Sequence, residues 1–409
     1  MYSTLALEVF LGWRPRLLLT RLCNRARQWL GETLAHSVAR WMVPLRTLRQ
    51  VGGWHPPTIQ LEETRSILVV RPDEIGDLVL TGPFLRELRR VAPAAHITLI
   101  VKKHCQELVE LCPYVDAVYS LDFPPNGNKR RVFLLFAAWR LRWSRFSWQG
   151  FQLVLLPRSS PDWYDAELVA TVLAGTGKIV VNRECLGHRS GRSFVKNTET
   201  ADFSEAQILH EVPRNLKLLQ RYGAVITPNP PLELWITESD REFSRKVLSS
   251  GGQYVAFCGG ARDSARRWPI DRFSAVAAQL RDQHGVVPVI LGARGDPEFS
   301  GAVNLIGRTT LRQAAAVLER CALYVGNDTG SKHIAAAMGI PTVEISAFRC
   351  GGDINHVSSP ARFRAWGVPY RLAQPPAGPS IFAIEEIAID HVLRLCTALL
   401  SAPIEHQIR

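Results

Sequence analysis

The tightest constraint on this chain is a recurrence: short apolar runs, each followed by a turn and a stretch of helical spacing. In the first set the runs are Ser66–Arg71, His96–Val101, Ala117–Leu121, Phe151–Leu156 and Lys178–Val181, with helices predicted over Thr81–Val91, Lys103–Leu111 and Asp162–Ala174. In the second they are Tyr254–Cys258, Val286–Leu291, Leu323–Val325 and Thr342–Ile345. Helices are predicted there over Asp271–Gln283, over Thr310–Cys321 and up to Met338, with a last one over Ile384–Leu400. Strands alternating with helices of this length need crossover connections, which give parallel sheets covered on both faces. Between the sets lies Val225–Glu238, where Pro228, Pro230 and Pro231 break any periodicity and mark a linker. The expectation is an α/β chain of two Rossmann-like halves, with a ligand in the cleft facing the strand C-termini. It divides into a helical extension (1–60), two halves (61–235 and 236–385) and a terminal helix (386–409).

Net charge is +12 and sharply localised. Residues 1–60 carry eight arginines against Glu8 and Glu32, a balance of +6. Residues 123–150 carry Lys129, Arg130, Arg131, Arg140, Arg142 and Arg145 with no acid, another +6, so the rest of the chain is neutral. The same two segments hold seven of the eleven tryptophans. On a helix, 132–146 places Val132, Leu135, Phe136, Trp139, Trp143 and Phe146 on one stripe, with Arg140 and Arg145 off it. Arginine beside tryptophan on an amphipathic stretch suits an anionic membrane interface. Packing on the protein's own core is the plainer alternative. Nucleic acid is the other polyanion, and no recognised nucleic-acid module is present. No run of about 18 apolar residues offers a spanning helix, and no leading basic region marks a cleaved signal peptide. The eight cysteines are scattered without a C-x-x-C pair, so reduced thiols in a cytoplasmic protein are expected and a metal framework is not.

Three turns carry the chemistry. After Leu323–Val325 comes Gly326-Asn327-Asp328-Thr329-Gly330-Ser331-Lys332-His333. A helix starting after a glycine turn presents free N–H groups and a positive dipole end, a seat for a diphosphate. Asp328 or Thr329 can cap it, and His333 lies three residues past Gly330. After Tyr254–Cys258, the pair Gly259-Gly260 leads to Arg266-Arg267-Trp268-Pro269, where arginine can grip phosphate oxygens. After Ser66–Arg71 comes Pro72-Asp73-Glu74-Ile75-Gly76-Asp77. Its carboxylates could accept a proton from an attacking hydroxyl, and Gly76 keeps the backbone open. On residues alone, Asp73, Glu74 and Asp77 are rivals for that role.

These segments resemble D-[ST]-G-x-x-H, K-x-W-P and R-x-x-x-x-G-D of glycosyltransferase family 9, the ADP-heptose:lipopolysaccharide heptosyltransferases. Ala335 to Thr342, and Thr81, Pro83 and Leu85, fit the same pattern. The resemblance runs from about Ser66 to Leu400 and implies a GT-B fold. It implies inverting transfer of a sugar, heptose by analogy, from a nucleoside-diphosphate donor to a lipid-linked glycan. Asp77 would be the general base. Arg266, Asp328, Thr329, Gly330 and His333 would bind the nucleotide-sugar, supported by Gly76, Gly259, Gly260 and Lys332. Two departures stand out. Arg266 replaces the lysine, and Gly292-Ala293-Arg294-Gly295-Asp296 follows Val286–Leu291 where the family places an acidic residue against the nucleotide ribose. No D-x-D occurs, so the phosphates would be met by Arg266 and the helix terminus, without metal or cofactor. Trp139, Arg140, Trp143 and Arg145 would contact an anionic membrane, placing the enzyme on the inner face of the cytoplasmic membrane. A different donor, or a non-catalytic surface-binding protein on a degenerate body, are the competing readings. A dehydrogenase is disfavoured because no G-x-G-x-x-G follows any strand.

Overall fold

The computed structural model describes residues 59–123, 130–146, 150–158, 164–175, 177–182, 198–201, 210–248, and 251–402 apart from 355, 357, 379 and 381. The predicted extension over 1–60 therefore lies almost wholly outside the described residues. The first set of elements is β1 (Ser66–Arg71), α1 (Ile75–Val79), α2 (Gly82–Val91), β2 (His96–Lys102), β3 (Ala117–Leu121), α3 (Arg130–Arg145), β4 (Leu153–Leu156), α4 (Ala166–Ala174), β5 (Lys178–Asn182), β6 (Thr198–Ala201) and α5 (Glu211–Gln220). The second is α6 (Glu238–Val247), β7 (Tyr254–Cys258), α7 (Ile270–His284), β8 (Val287–Ile290), β9 (Val303–Asn304), α8 (Leu311–Leu318), β10 (Cys321–Asn327), α9 (Gly330–Ala337), β11 (Thr342–Ile345), α10 (Pro360–Phe363), β12 (Tyr370–Ala373) and α11 (Ile389–Leu400).

Each set builds a six-stranded parallel sheet, ordered β3-β2-β1-β4-β5-β6 and β12-β11-β10-β7-β8-β9. Both orders reverse at one point, between β1 and β4 and between β7 and β10, which is where open α/β sheets leave a crevice. Strand β1 shows why the sheets are covered on both faces. Ile67 and Val69 enter one core cluster, Leu68 and Val70 the other, and all four are at most 1% exposed.

The strands predicted from apolar runs are present. The edge strands β6, β9 and β12 went unpredicted, because edges are half solvated and their sequences, such as Thr-Glu-Thr-Ala at 198–201, lack an apolar run. Lys103–Leu111 forms only a 3-10 turn over Lys103–Leu108, and the helix predicted from Asp162 begins at Ala166. On α3 the predicted stripe divides. Leu135 turns inward with Leu134 and Ala138, and Phe146 is partly buried against the same core. Val132, Phe136, Trp139 and Trp143 stay outside.

The proline-bearing segment carries no regular structure, yet it is fastened to both halves. The backbone of Thr227 donates to Glu87 of α2 at 3.2 Å, and Tyr114 donates to Glu233 at 2.6 Å. On the other side, the Trp366 indole donates to the Pro230 carbonyl at 2.9 Å.

The second sheet encloses a charge column. Lys332 on α9 is 0% exposed; its ammonium pairs with Asp328 and, at 2.8 Å, with Glu344 of β11. Tyr370 of β12 donates to the other Glu344 oxygen at 2.7 Å. Burial alone would favour neutral lysine, but the two carboxylates hold its pKa above the ordinary value. Removing one member of a buried pair strands the other. Lys332→Ala is therefore expected to lower unfolding free energy by about 3–5 kcal/mol, read as a fall in the urea midpoint; an unchanged midpoint would show that the column adds nothing to stability.

Candidate active site

The reversals of both sheets converge on a cleft of about 1010 Å³ lined by residues of both halves. Its walls are the loops after β1, β4, β7, β8 and β10. The three turns singled out in the sequence meet here: Arg71, Gly76 and Asp77, then Gly260, Arg266 and Arg267, then Asp328, Thr329, Gly330 and His333.

The first and third turns touch. A methyl group at Gly76 would lie 2.7 Å from Cδ2 of His333, and one at Gly330 would lie 2.9 Å from Cβ of Ile75. Glycine at both positions lets α1 and the start of α9 approach to backbone contact. Thr329 occupies the N-cap of α9 in extended conformation, but its hydroxyl does not cap the helix. It meets the Ser331 hydroxyl at 2.8 Å, which in turn meets Tyr324 at 2.7 Å. Asn327 fixes the turn to its neighbours. Its amide donates to the Gly259 carbonyl at 2.8 Å, and its oxygen accepts from the Trp268 backbone at 3.1 Å. The Trp268 indole donates to Ile387, so the Arg266-Arg267 turn is hung on a buried ring. Arg266 reaches Asp328 at 3.6 Å and stays 40% exposed toward the cleft.

Asp77 lies at the head of a buried charge network. Its carboxylate is 3.7 Å from the Arg71 guanidinium and 30% exposed. Arg71 also contacts Asp73 at 3.3 Å and Glu211 at 3.7 Å. Asp73 is bound by Arg158, and Glu211 by Arg362 at 3.1 Å. Burial pushes the Asp77 pKa up to about 6. Asp73 adds to the rise, Arg71 opposes it and Glu211 adds again. Glu74, on the same turn, behaves oppositely. Burial would raise it, but His104, Arg262 and Lys102 hold it well below the carboxylate range. Arg262, from the loop after β7, reaches it at 2.7 Å across the cleft, and Tyr164 donates to it at 2.9 Å.

His333 is buried at the cleft wall, and its Nδ1 has no hydrogen-bond partner in the protein. Burial and then Lys332 and His210 drive its pKa well below the usual value, so the ring is neutral. Lys332 itself does not line the cleft; its charge is spent in the column beneath Asp328. Gly259 packs against Ile270 and Phe273, while Gly260 faces the cleft. Trp139, Arg140, Trp143 and Arg145 lie on α3, outside the cleft lining.

Sequence reasoning missed several cleft residues: Arg158, Tyr164, Glu211, Arg262 and Asp296. Asp296 was visible as a departure from the family pattern. Its carboxylate folds back to accept the Ala293 N–H at 2.7 Å and lies so close to Gly260 that a methyl group there would come within 2.2 Å. An acidic group thus reaches the cleft from four residues beyond Gly292. Glu211 had no local motif; only the folded chain brings it to Arg71.

Residues 181–349 match the model of Glycosyltransferase family 9 (heptosyltransferase). Lipopolysaccharide heptosyltransferase 2 of Escherichia coli K12 is 27% identical over 310 residues, covering 68% of this chain and 82% of that protein. Lipooligosaccharide heptosyltransferase 2 of Haemophilus influenzae is 25% identical over 316 residues, with the same coverage. Among solved structures, a family 9 glycosyl transferase from Veillonella parvula superposes with a TM-score of 0.67 at 21% identity, covering 82% of this chain and 97% of that one. The Escherichia coli ADP-heptose lps heptosyltransferase II gives 0.63 at 22%, covering 82% and 98%. The paired sheets are the GT-B fold of those structures, and over residues 181–349 the chain is similar to glycosyltransferase family 9, as the sequence resemblance implied.

Proposed function

We propose that this glycosyltransferase moves a heptose from an ADP-linked donor to a lipid-anchored glycan of the lipopolysaccharide core type, inverting the anomeric centre. The observation that carries the reading is the meeting of Asp77 and the Gly330–His333 turn in one cleft, each supplied by a different sheet. Relatives named as lipopolysaccharide heptosyltransferases support the sugar and the acceptor.

In this reading the diphosphate sits against the N-terminus of α9, where N–H groups and the helix dipole meet its charge. Arg266 supplies the mobile cation. Neutral His333 donates or accepts one hydrogen bond rather than adding charge, and its unpartnered Nδ1 is the atom left for a ligand or water. Asp296 is the acidic group available to the ribose hydroxyls. The acceptor enters over β1, where Asp77 takes the proton of the attacking hydroxyl as the bond to the anomeric carbon forms. The division of labour between 61–235 and 236–385 follows: the first half holds the acceptor and the second the donor.

Two experiments test this. Thermal stabilisation by ADP, UDP, GDP and ADP-heptose is measured with Arg266→Ala and His333→Ala as controls. A ligand at a hundredfold excess over its Kd adds about 2.7 kcal/mol, and ADP species are expected to do so selectively, the shift falling in both controls. Stabilisation by UDP or GDP instead would replace the donor; no response to any would remove the transferase reading of this cleft. EDTA is expected to leave transfer unchanged.

The second concerns the base. Asp77 works when ionised, so kcat/KM should fall tenfold per pH unit below about 6 and level off above it. Asp77→Asn should abolish that limb and lower kcat by roughly a hundredfold to ten-thousandfold. A partly buried carboxylate with a raised pKa opposes folding once ionised. Stability from this group is therefore greatest at low pH and declines as pH rises through about 6, so the variant should melt no lower than the parent at pH 7. Full activity in Asp77→Asn would sink the assignment.

A further inference from the structure

We propose that the outward face of α3 (Arg130–Arg145) is a docking surface for an anionic lipid bilayer. The inward face of the helix is fully used: Leu134, Leu135 and Ala138 are buried against the core between α3, α4 and the first sheet. The outward face carries Val132, Phe133, Phe136, Trp139 and Trp143, all 39–60% exposed. Positions 132, 136, 139 and 143 recur at helical spacing, and the two indole centroids lie 5.8 Å apart, so the exposed apolar groups form one row. A contiguous row of large apolar side chains in water marks a contact surface.

The charge beside the row selects the partner. Residues 123–150 contain six basic residues and no acid. Arg131 is held by Asp165 at 3.0 Å, and the Arg142 guanidinium turns inward to the Leu173 carbonyl at 2.6 Å. Arg140 and Arg145 remain exposed beside the aromatic row. A second copy of this helix would set like charges against one another. A bilayer with acidic headgroups offers both anions for the arginines and an apolar layer for the indoles. No helix among the described residues is long and apolar enough to cross a membrane, so α3 would lie in the plane of the interface.

The helix also begins at the rim of the cleft. Arg131 binds Asp165, the neighbour of Tyr164, whose hydroxyl donates to Glu74 inside it. A docked α3 brings the mouth of the cleft to the headgroup layer, within reach of an acceptor anchored there. That last step rests on the proposed transfer to a lipid-linked glycan; the docking itself does not.

The test is co-sedimentation of the full-length protein with vesicles of phosphatidylcholine alone and of phosphatidylcholine with phosphatidylglycerol. Two variants are compared, one carrying Phe136→Ser, Trp139→Ser and Trp143→Ser, the other Arg140→Glu and Arg145→Glu. The parent is expected to bind only the anionic vesicles. Each variant should lose about tenfold or more in partition coefficient, while melting temperature and transfer to a water-soluble acceptor stay at the parent level. The charge variant leaves the packed face untouched, so it reports docking even where the aromatic variant folds poorly. Unchanged partitioning of the charge variant, or equal binding to neutral vesicles, would overturn the proposal. So would an aromatic variant that loses self-association while keeping vesicle binding. Absence of transfer by the parent, with its vesicle binding intact, would instead count against the proposed reaction.

Discussion

The site depends on two backbones being allowed to touch. Gly76 and Gly330 belong to different sheets, yet any side chain on either would enter the space of the other's neighbours. The contact brings the two halves together at the cleft, and the candidate site residues lie around it. Asp77 follows one glycine and the helix terminus of α9 follows the other. The 311–312 backbone reinforces the arrangement from outside, since the N–H groups of Leu311 and Arg312 at the start of α8 donate to Glu107 of the opposite half at 3.3 and 3.0 Å. Glu107 thereby adds to the local Thr310–Gln313 capping box of α8, accepting two further N–H groups from the other half of the chain.

Three carboxylates on one turn illustrate how environment assigns roles. Asp73 is enclosed between Arg71 and Arg158. Glu74 is clamped by groups from three directions, one of them Arg262 from across the cleft, so its charge is already matched. Asp77 is about as exposed as Glu74, but its one guanidinium partner is shared with two other acids, so its charge is not matched. Chemistry that needs a proton acceptor near neutrality is served by the third and poorly served by the first two. The sequence left the three as rivals; burial and pairing give them different environments, and that difference is what the proposed assignment of Asp77 rests on.

The two-sheet architecture was legible because central strands are buried on both faces and must be written in apolar residues, as in Ser66–Arg71 and Tyr254–Cys258. The turns were legible because glycine is needed wherever a loop meets another backbone. What could not be read followed from long-range neighbours. Lys332 sits within the most informative motif, and only the fold shows that Glu344, on the next strand, draws it away from the cleft. Arg158 and Glu211 follow no local pattern; they matter because β4 lies beside β1 and α5 packs over α2. On α3 the apolar spacing was readable but its orientation was not, since Leu135 and Phe136 are equally apolar and point opposite ways.

The column under the cleft links a peripheral residue to the site's own composition. Tyr370 stands on the outermost strand of the second sheet, far from any ligand, yet its hydroxyl fixes Glu344, Glu344 fixes Lys332, and Lys332 fixes Asp328 beside Arg266. The geometry of the cleft therefore depends on a residue at the edge of the sheet. A chain without this tyrosine hydroxyl would leave one Glu344 oxygen free, and the change would pass through Lys332 to the turn that carries Asp328.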